Sequence, residues 1–330
     1  MNNKEIMKQR ASLLADIRSF FNRNNYIEAD VPILTKGVIP ESSIELFKTE
    51  QKRPYGSPEE LYLLPSPEYY LKKLISDGSG DLFCISHSFR NSEQNGNWHN
   101  PEFSMLEYYA MDADYKASIK ITENLFESLT INTKNLKPPF RQMTMDEAFK
   151  SFSGFDLSNH CTGKLSPEEE RAQLRDLAMS FKLSVSKDDS WEELFNLIFV
   201  HKIEPNLPQD KPLVLLDYPK GVPALATPAK QEGRLERWEL YAGGIELANC
   251  YSEETDYNRV KSFFKTEEED KKDALVKVKS DLNWCEMYKK DFPKCSGTAL
   301  GIDRLLMLLS DSKSIGGVIL FPLSDILDNL

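Results

Sequence analysis

Residues 82–109 read LFCISHSFRNSEQNGNWHNPEFSMLEYY. The pattern predicts strand, polar loop, strand. Residues 82–85 are a short apolar run. Residues 91–100 are rich in Asn, Gly and Ser, which favour turns over continued strand. Residues 103–109 return to an aromatic, apolar composition suited to a strand. Two charges stand out: Arg90 closes the first strand and Glu107 lies inside the second. Strand side chains alternate, so Phe103, Met105 and Glu107 share a face. A buried carboxylate there must meet a cation or lose its charge. The spacing fits equally a surface hairpin with an exposed Glu.

The chain around this hairpin is 330 residues long, with 40% hydrophobic and 28% charged residues, the balance of an ordinary globular protein. No apolar run approaches the roughly 20 residues of a membrane span. The N-terminus, MNNKEIMKQR, lacks a signal peptide's apolar segment, so a cytoplasmic location is expected. The five cysteines are scattered without a CxxC pair, which argues against a disulfide framework or a thiolate zinc site. The net charge of −11 opposes broad binding to a nucleic-acid backbone. The run Glu267-Glu-Glu-Asp270, followed by Lys271 and Lys272, reads as a solvated helix face.

Residues 4–24 carry Leu13, Leu14, Ile17, Phe20 and Phe21 at helical spacing. Residues 26–31 read as a strand stopped by Pro32, and 35–58 as loop. Residues 61–64 read as a short strand. Ser66-Pro67-Glu68 then reads as a helix start, with serine as cap and proline first. A helix is expected over 116–129 and a break at Lys137-Pro138-Pro139. Residues 144–205 look mostly helical, with capping boxes at Thr144/Glu147, Ser166/Glu169 and Ser190/Glu193. Residues 213–218 read as a buried strand.

Gly243-Gly244 predicts a tight hairpin turn. Regular pairing then sets Ala242 against Ile245, Tyr241 against Glu246 and Glu239 against Ala248. Glu239 and Glu246 become diagonal neighbours, about 7–8 Å apart at the backbone. Such a pair can hold a hard cation such as Mg²⁺. Two solvent-facing acids fit that spacing at least as well. Near the end, CSGTALGIDR (295–304) leads small residues into an apolar helix.

Together these pieces resemble a class II aminoacyl-tRNA synthetase catalytic domain of the lysyl type. The resemblance rests on Phe89-Arg90 through His99-Asn100-Pro101-Glu102-Phe103 (motif 2) and on Gly301-Ile302-Asp303-Arg304 (motif 3). The helix, strand and Pro32 at the start stand for motif 1, and HNPEFSMLEYY with Gly244-Ile-Glu-Leu-Ala-Asn249 is lysyl-like. Motif 1 begins almost at Met1, with no anticodon-binding domain before it. In this the chain is similar to the elongation factor P–lysine lysyltransferase family, which activates (R)-β-lysine with ATP and transfers it to a lysine of elongation factor P. Ser66 and Ala299, where the synthetases carry Ala and Gly, follow that family's pattern and would line the amino-acid pocket.

The resemblance implies an α+β fold, an antiparallel sheet flanked by helices. It implies one catalytic domain over 1–330 with a helical insertion near 144–205, and a homodimer formed through motif 1. Arg90 would bridge substrate carboxylate and α-phosphate. Phe103 and Arg304 would sandwich adenine, with Glu93, His99 and Asn100 also at the ATP. Glu239 and Glu246 would hold Mg²⁺. Glu68 would meet the amino group near the carboxylate, Glu107 and Glu253 the far ε-ammonium, and Asn249 the carboxylate. Strict alternation puts Asn249 opposite Glu246, so that role requires a bulge. Motif 2 departs from the family's Arg-Asn-Glu: Ser92 replaces the glutamate, or an insertion lets Glu93 take its place. Cys250 stands where the family has glycine, adding bulk beside the carboxylate site. Alternative functions are a lysyl-adenylate-forming enzyme using a small-molecule or tRNA acceptor, tRNA being disfavoured by the missing anticodon machinery, or a non-catalytic synthetase-like regulator.

Overall fold

The computed structural model describes residues 2–92, 96–131, 136–278 and 280–328. Helix α1 (Asn3–Arg23) is capped by Asn2, whose side chain accepts from the Glu5 amide, and it buries Leu13, Ile17, Phe20 and Phe21. The strand expected over 26–31 shrinks to β1 (Ile27–Glu28), whose two residues are exposed. The stretch read as loop contributes strand: β2 (Leu34–Thr35) and β3 (Lys48–Gln51) pair with β4 (Glu59–Leu63) in a small antiparallel sheet. Fully exposed β3 carries no burial pattern from which it could be read. Helix α2 (Glu68–Ser76) starts one residue later than predicted. Pro67 is its cap residue, and Ser66 Oγ accepts from the Glu68 amide at 3.3 Å.

The opening hairpin is present and longer than read: β5 (Leu82–Phe89) pairs antiparallel with β6 (Glu102–Met111). Helix α3 (Tyr115–Ser128) follows, then β7 (Arg141–Thr144). Helices α4 (Met145–Ser153), α5 (Pro167–Ser180) and α6 (Trp191–Ile198) each begin with the predicted capping box, both reciprocal bonds being made. Their apolar faces pack with Leu213 and Leu215 of β8 (Leu213–Leu216) in a cluster of their own.

Strands β9 (Arg237–Ala242) and β10 (Ile245–Ser252) turn at Gly243-Gly244, both at positive φ. Ala242–Ile245 and Tyr241–Glu246 pair as expected. Glu239 does not pair with Ala248: a bulge between Glu246 and Ala248 sets Glu239 against Asn249. The cause is two consecutive apolar residues. Leu247 and Ala248 both enter the core, and the extra residue returns Asn249 to the face of Glu246. Cys250 then points into that core, fully buried, rather than beside the carboxylate site.

Helix α7 (Tyr257–Asp270) exposes Glu268, Glu269 and Asp270, and Lys272 beyond it is exposed too, in keeping with a solvated face, but two residues of the run depart from it. Glu267 and Lys271 are not on a solvated face; both are buried. Glu267 accepts from the Ser42 amide at 2.7 Å, and Lys271 Nζ donates to the carbonyls of Glu41 and Ile44 at 2.6 and 2.5 Å. These charges clasp loop 41–45, a long-range partnership that local charge spacing does not reveal. Strand β11 (Cys295–Gly301) leads into α8 (Ile302–Leu309), and α9 (Leu323–Asp328) closes the described chain.

The main sheet has the order β1-β5-β6-β11-β10-β9-β8-β7, parallel only at its two outermost pairs. One face packs on α1, α3 and α8. The other carries α2, α7 and the turn of Trp284 and Tyr288 at one end and is open at its centre. Among the described residues no helix is long and apolar enough to cross a membrane.

Candidate active site

The open face is built by four adjacent strands, β6, β11, β10 and β9. Glu107 pairs with Ala299, Ala299 with Asn249, and Asn249 with Glu239, one ladder row across the sheet. The next row is Tyr109, Gly297, Tyr251 and Arg237. Two joined cavities sit over these rows. The larger, about 370 Å³, is lined by Arg90, His99, Asn100, Phe103, Glu239, Glu246, Asn249, Ala299 and Arg304. The smaller is lined by Ser66, Glu68, Arg90, Glu107, Asn249, Glu253 and Ala299. All the predicted site residues therefore converge here except Glu93, which lies outside the described residues.

Arg90 lines both cavities, and its guanidinium stands 5.2 Å from the Phe103 ring centre. Its buried Nε has no hydrogen-bond partner among the described residues. A buried donor without an acceptor is costly, so this atom is poised for an oxyanion. Arg304 donates through Nη1 to the Glu246 carbonyl at 2.8 Å and through Nε to the Trp98 carbonyl at 3.3 Å. These bonds fix its guanidinium in the wall of the larger cavity, which Phe103 also lines. Asn100 has a structural duty as well. Its amide donates to the Glu102 carbonyl at 2.5 Å and accepts from the Leu323 amide at 3.0 Å.

The two acids of the turn hairpin differ. Glu239 accepts from Tyr218 and Tyr241 hydroxyls at 2.6 and 2.7 Å and from Arg237 at 2.7 Å. Glu246 lies 3.5 Å from Arg304, and desolvation together with Glu239 pushes its carboxyl up to about 7. Two mutually repelling carboxylates at a cavity edge fit a divalent cation that also takes phosphate oxygens. Among the described residues no three metal-ligating side chains group together.

The smaller cavity is acid-rich. Tyr109 donates to Glu107 Oε1 at 2.6 Å, while buried Glu107 Oε2 and Glu253 Oε1 have no hydrogen-bond partner among the described residues. Desolvation, then Glu68, raises the Glu107 carboxyl well above its ordinary value. Desolvation lifts Glu253 to about 8 against the pull of Lys72. Lys72 is the cation that reaches Glu253, at 2.6 Å, and a substrate ammonium would balance the remaining acid.

Sequence reasoning missed four contributors. Lys72, fully buried, pairs with Glu68 at 2.5 Å and Glu253 at 2.6 Å. Burial alone would lower its pKa; Glu253 and Glu68 outweigh that and raise it. The signal was its position four residues after Glu68 on one helix face. Arg237, two residues before Glu239, donates to Asn249 Oδ1 at 3.1 Å, which leaves the Asn249 amide nitrogen to donate to a carboxylate. A Cβ on Gly297 would collide with Glu253 Oε1 and lie 2.6 Å from Tyr109 Cε1. Glu41, in the clasped loop, lines both cavities, and desolvation and Glu68 push its carboxyl up to about 7. No local pattern marked it.

A floor of antiparallel strands, an arginine between two cavities, and a second arginine and a phenylalanine lining the larger one are the attributes of a class II synthetase active site. Residues 1–325 match the family described as tRNA synthetases class II (D, K and N), and the chain belongs to that family. Within the family it is 32% identical over 323 residues to the elongation factor P–(R)-β-lysine ligase of Buchnera aphidicola subsp. Acyrthosiphon pisum (strain APS), covering 96% of this chain and 95% of that protein. The ligases of the same name from Yersinia pestis (strain Pestoides F) and Yersinia pseudotuberculosis (serotype O:1b, strain IP 31758) are each 32% identical over 322 residues, covering 96% of this chain and 94% of theirs.

Proposed function

We propose that the chain activates (R)-β-lysine with ATP and transfers the β-lysyl group to a lysine side chain of elongation factor P. The observation that carries this reading is the acid pocket beside Arg90. Glu41, Glu68, Glu107 and Glu253 line it with Arg90, and buried Lys72 pairs with Glu68 and Glu253 from behind. Four acids less Arg90 and Lys72 leave two negative charges, the complement of a substrate with two ammonium groups. The names and full-length likeness of the relatives supply the acceptor.

In the first step a substrate carboxylate oxygen attacks the α-phosphorus, and the bond to pyrophosphate breaks. Catalysis here is positioning and charge stabilisation. Arg90 holds carboxylate and α-phosphate, the Asn249 amide donates to the carboxylate, and Phe103 and Arg304 hold adenine between them, with His99 and Asn100 beside the phosphates. Glu239 and Glu246 would hold Mg²⁺, which neutralises pyrophosphate charge when bound. Ser66 and Ala299 shape the pocket around the displaced amino group. In the second step a neutral lysine amine forms a C–N bond to the acyl carbon. The acyl C–O bond to the phosphate breaks, AMP leaves with its electron pair, and the proton shed by the amine nitrogen passes to solvent. A cytoplasmic homodimer joined through α1 and the exposed Ile33 and Leu34 belongs to the same reading.

Pyrophosphate exchange with L-lysine and both β-lysine enantiomers tests the first step, and exchange strongest with (R)-β-lysine is expected. No exchange with any of them would refute adenylation. The intact mass of elongation factor P after incubation tests the second, and an unchanged mass with exchange-active enzyme would move the acceptor elsewhere.

A further inference from the structure

The proposed reaction needs three groups at one point: ATP, the amino acid and the acceptor amine. The two cavities described above account for the first two. A third cavity of about 290 Å³ meets them from the side of α6 and α7. It shares Glu41, Arg237 and Asn249 with the larger cavity, and Glu41, Glu68, Asn249 and Tyr251 with the smaller. Glu41 and Asn249 are common to all three.

Its lining has two characters. Val222, Leu225 and Phe263 give apolar walls, while Glu192 and Glu267 add acids to Glu41 and Glu68. Glu267 is only 4% exposed, and its buried Oε1 has no hydrogen-bond partner among the described residues. The basic residue of the lining, Arg237, is already committed to Glu239 and Asn249. Apolar walls beside an excess of acids suit a long alkyl chain ending in an ammonium. We infer that this cleft admits the acceptor's lysine side chain, bringing its amine past Glu41 to the adenylate. The inference rests on the proposed function and deepens it.

Another opening, between residues 43–45 and 91–92, lacks this match. Its acid among the described residues, Glu45, already accepts from the amides of Leu275 and Val276 at 2.8 and 3.1 Å. An ammonium gains little from a carboxylate satisfied in this way.

Two variants separate the route from the reaction. Ala224→Trp fills the cleft with bulk, and Glu192→Lys reverses one of its charges; neither residue lines the other two cavities. In both, amino-acid-dependent pyrophosphate exchange should stay within about twofold of the unmodified chain, which also reports a folded site. Transfer to elongation factor P, followed by intact mass, should fall at least tenfold in kcat/KM for the protein acceptor. Transfer at the original rate in both variants, with exchange intact, overturns the route and leaves the proposed reaction standing. Loss of exchange in both overturns it too, because the cleft would then serve adenylation. Absence of exchange in the unmodified chain overturns the reaction and the route together.

Discussion

Alternation left Glu107 as either an exposed acid or a buried one in need of a cation, and the resemblance selected the second. The structure buries it, ties Oε1 to Tyr109 and leaves Oε2 without a partner. Glu107→Gln should therefore raise KM for the diamino acid about tenfold to a hundredfold, the usual worth of a hydrogen bond to a charge. KM for ATP should hold, since Glu107 does not line the larger cavity. Steady-state exchange kinetics with each substrate varied in turn check the split. Lys72 carried only the weak signal of its spacing from Glu68, which a solvated helix lysine shows as well. Only the fold shows it between Glu68 and Glu253. Lys72→Met leaves those acids facing each other without their cation. A loss of about 3–5 kcal/mol is expected, as for other broken buried pairs. Urea unfolding measures it, and the loss should shrink in Lys72→Met/Glu253→Gln, which removes one acid along with the lysine.

Elements were legible where the signal is local. Three capping boxes and a Gly-Gly turn each involve residues within four positions, and all four form as read. The bulge in β10 was legible only as a requirement of Asn249. Turn chemistry fixes the first pairs of a hairpin, whereas the bulge answers to the core that takes both Leu247 and Ala248. Gly297 shows the same limit in β11. It reads as one more small residue, yet Tyr109 of β6 and Glu253, just past the end of β10, close over it. Glu253 cannot simply swing away, because Lys72 holds its other oxygen. Gly297→Ala should thus displace the ammonium-binding acids while β11 keeps its pairing. KM for the amino acid should rise at least tenfold with little change in KM for ATP. Unchanged amino-acid KM in a folded variant would mean that the close approach has no bearing on the pocket.

At the scale of the molecule, the motifs foretold which strands carry the site, but the ties between distant segments had no sequence signal. Asp303 bonds Arg10 of the first helix and accepts from the Ser104 amide at 2.6 Å; Lys271 and Glu267 clasp a loop more than two hundred residues earlier. Such ties gather buried charge into one centre, with a consequence for pH. Glu253 rises from 4.5 to about 8, and Glu41 and Glu246 to about 7, each by desolvation first. A carboxyl with a higher pKa folded than unfolded binds more protons in the folded state between the two values. Its contribution to stability therefore falls as pH rises through that window. Lys72 does not offset this, because its pKa is raised and its contribution persists across the same range. The ligand-free protein should lose thermal stability from about pH 5 to pH 8 through these groups, and Glu253→Gln should flatten that slope. A diammonium substrate pairs with the ionised acids, so its stabilising effect should grow over the same interval. Thermal unfolding at several pH values, with and without the amino acid, tests both slopes. If Glu253→Gln has the same pH dependence as the unmodified chain, Glu253 is not one of the groups responsible.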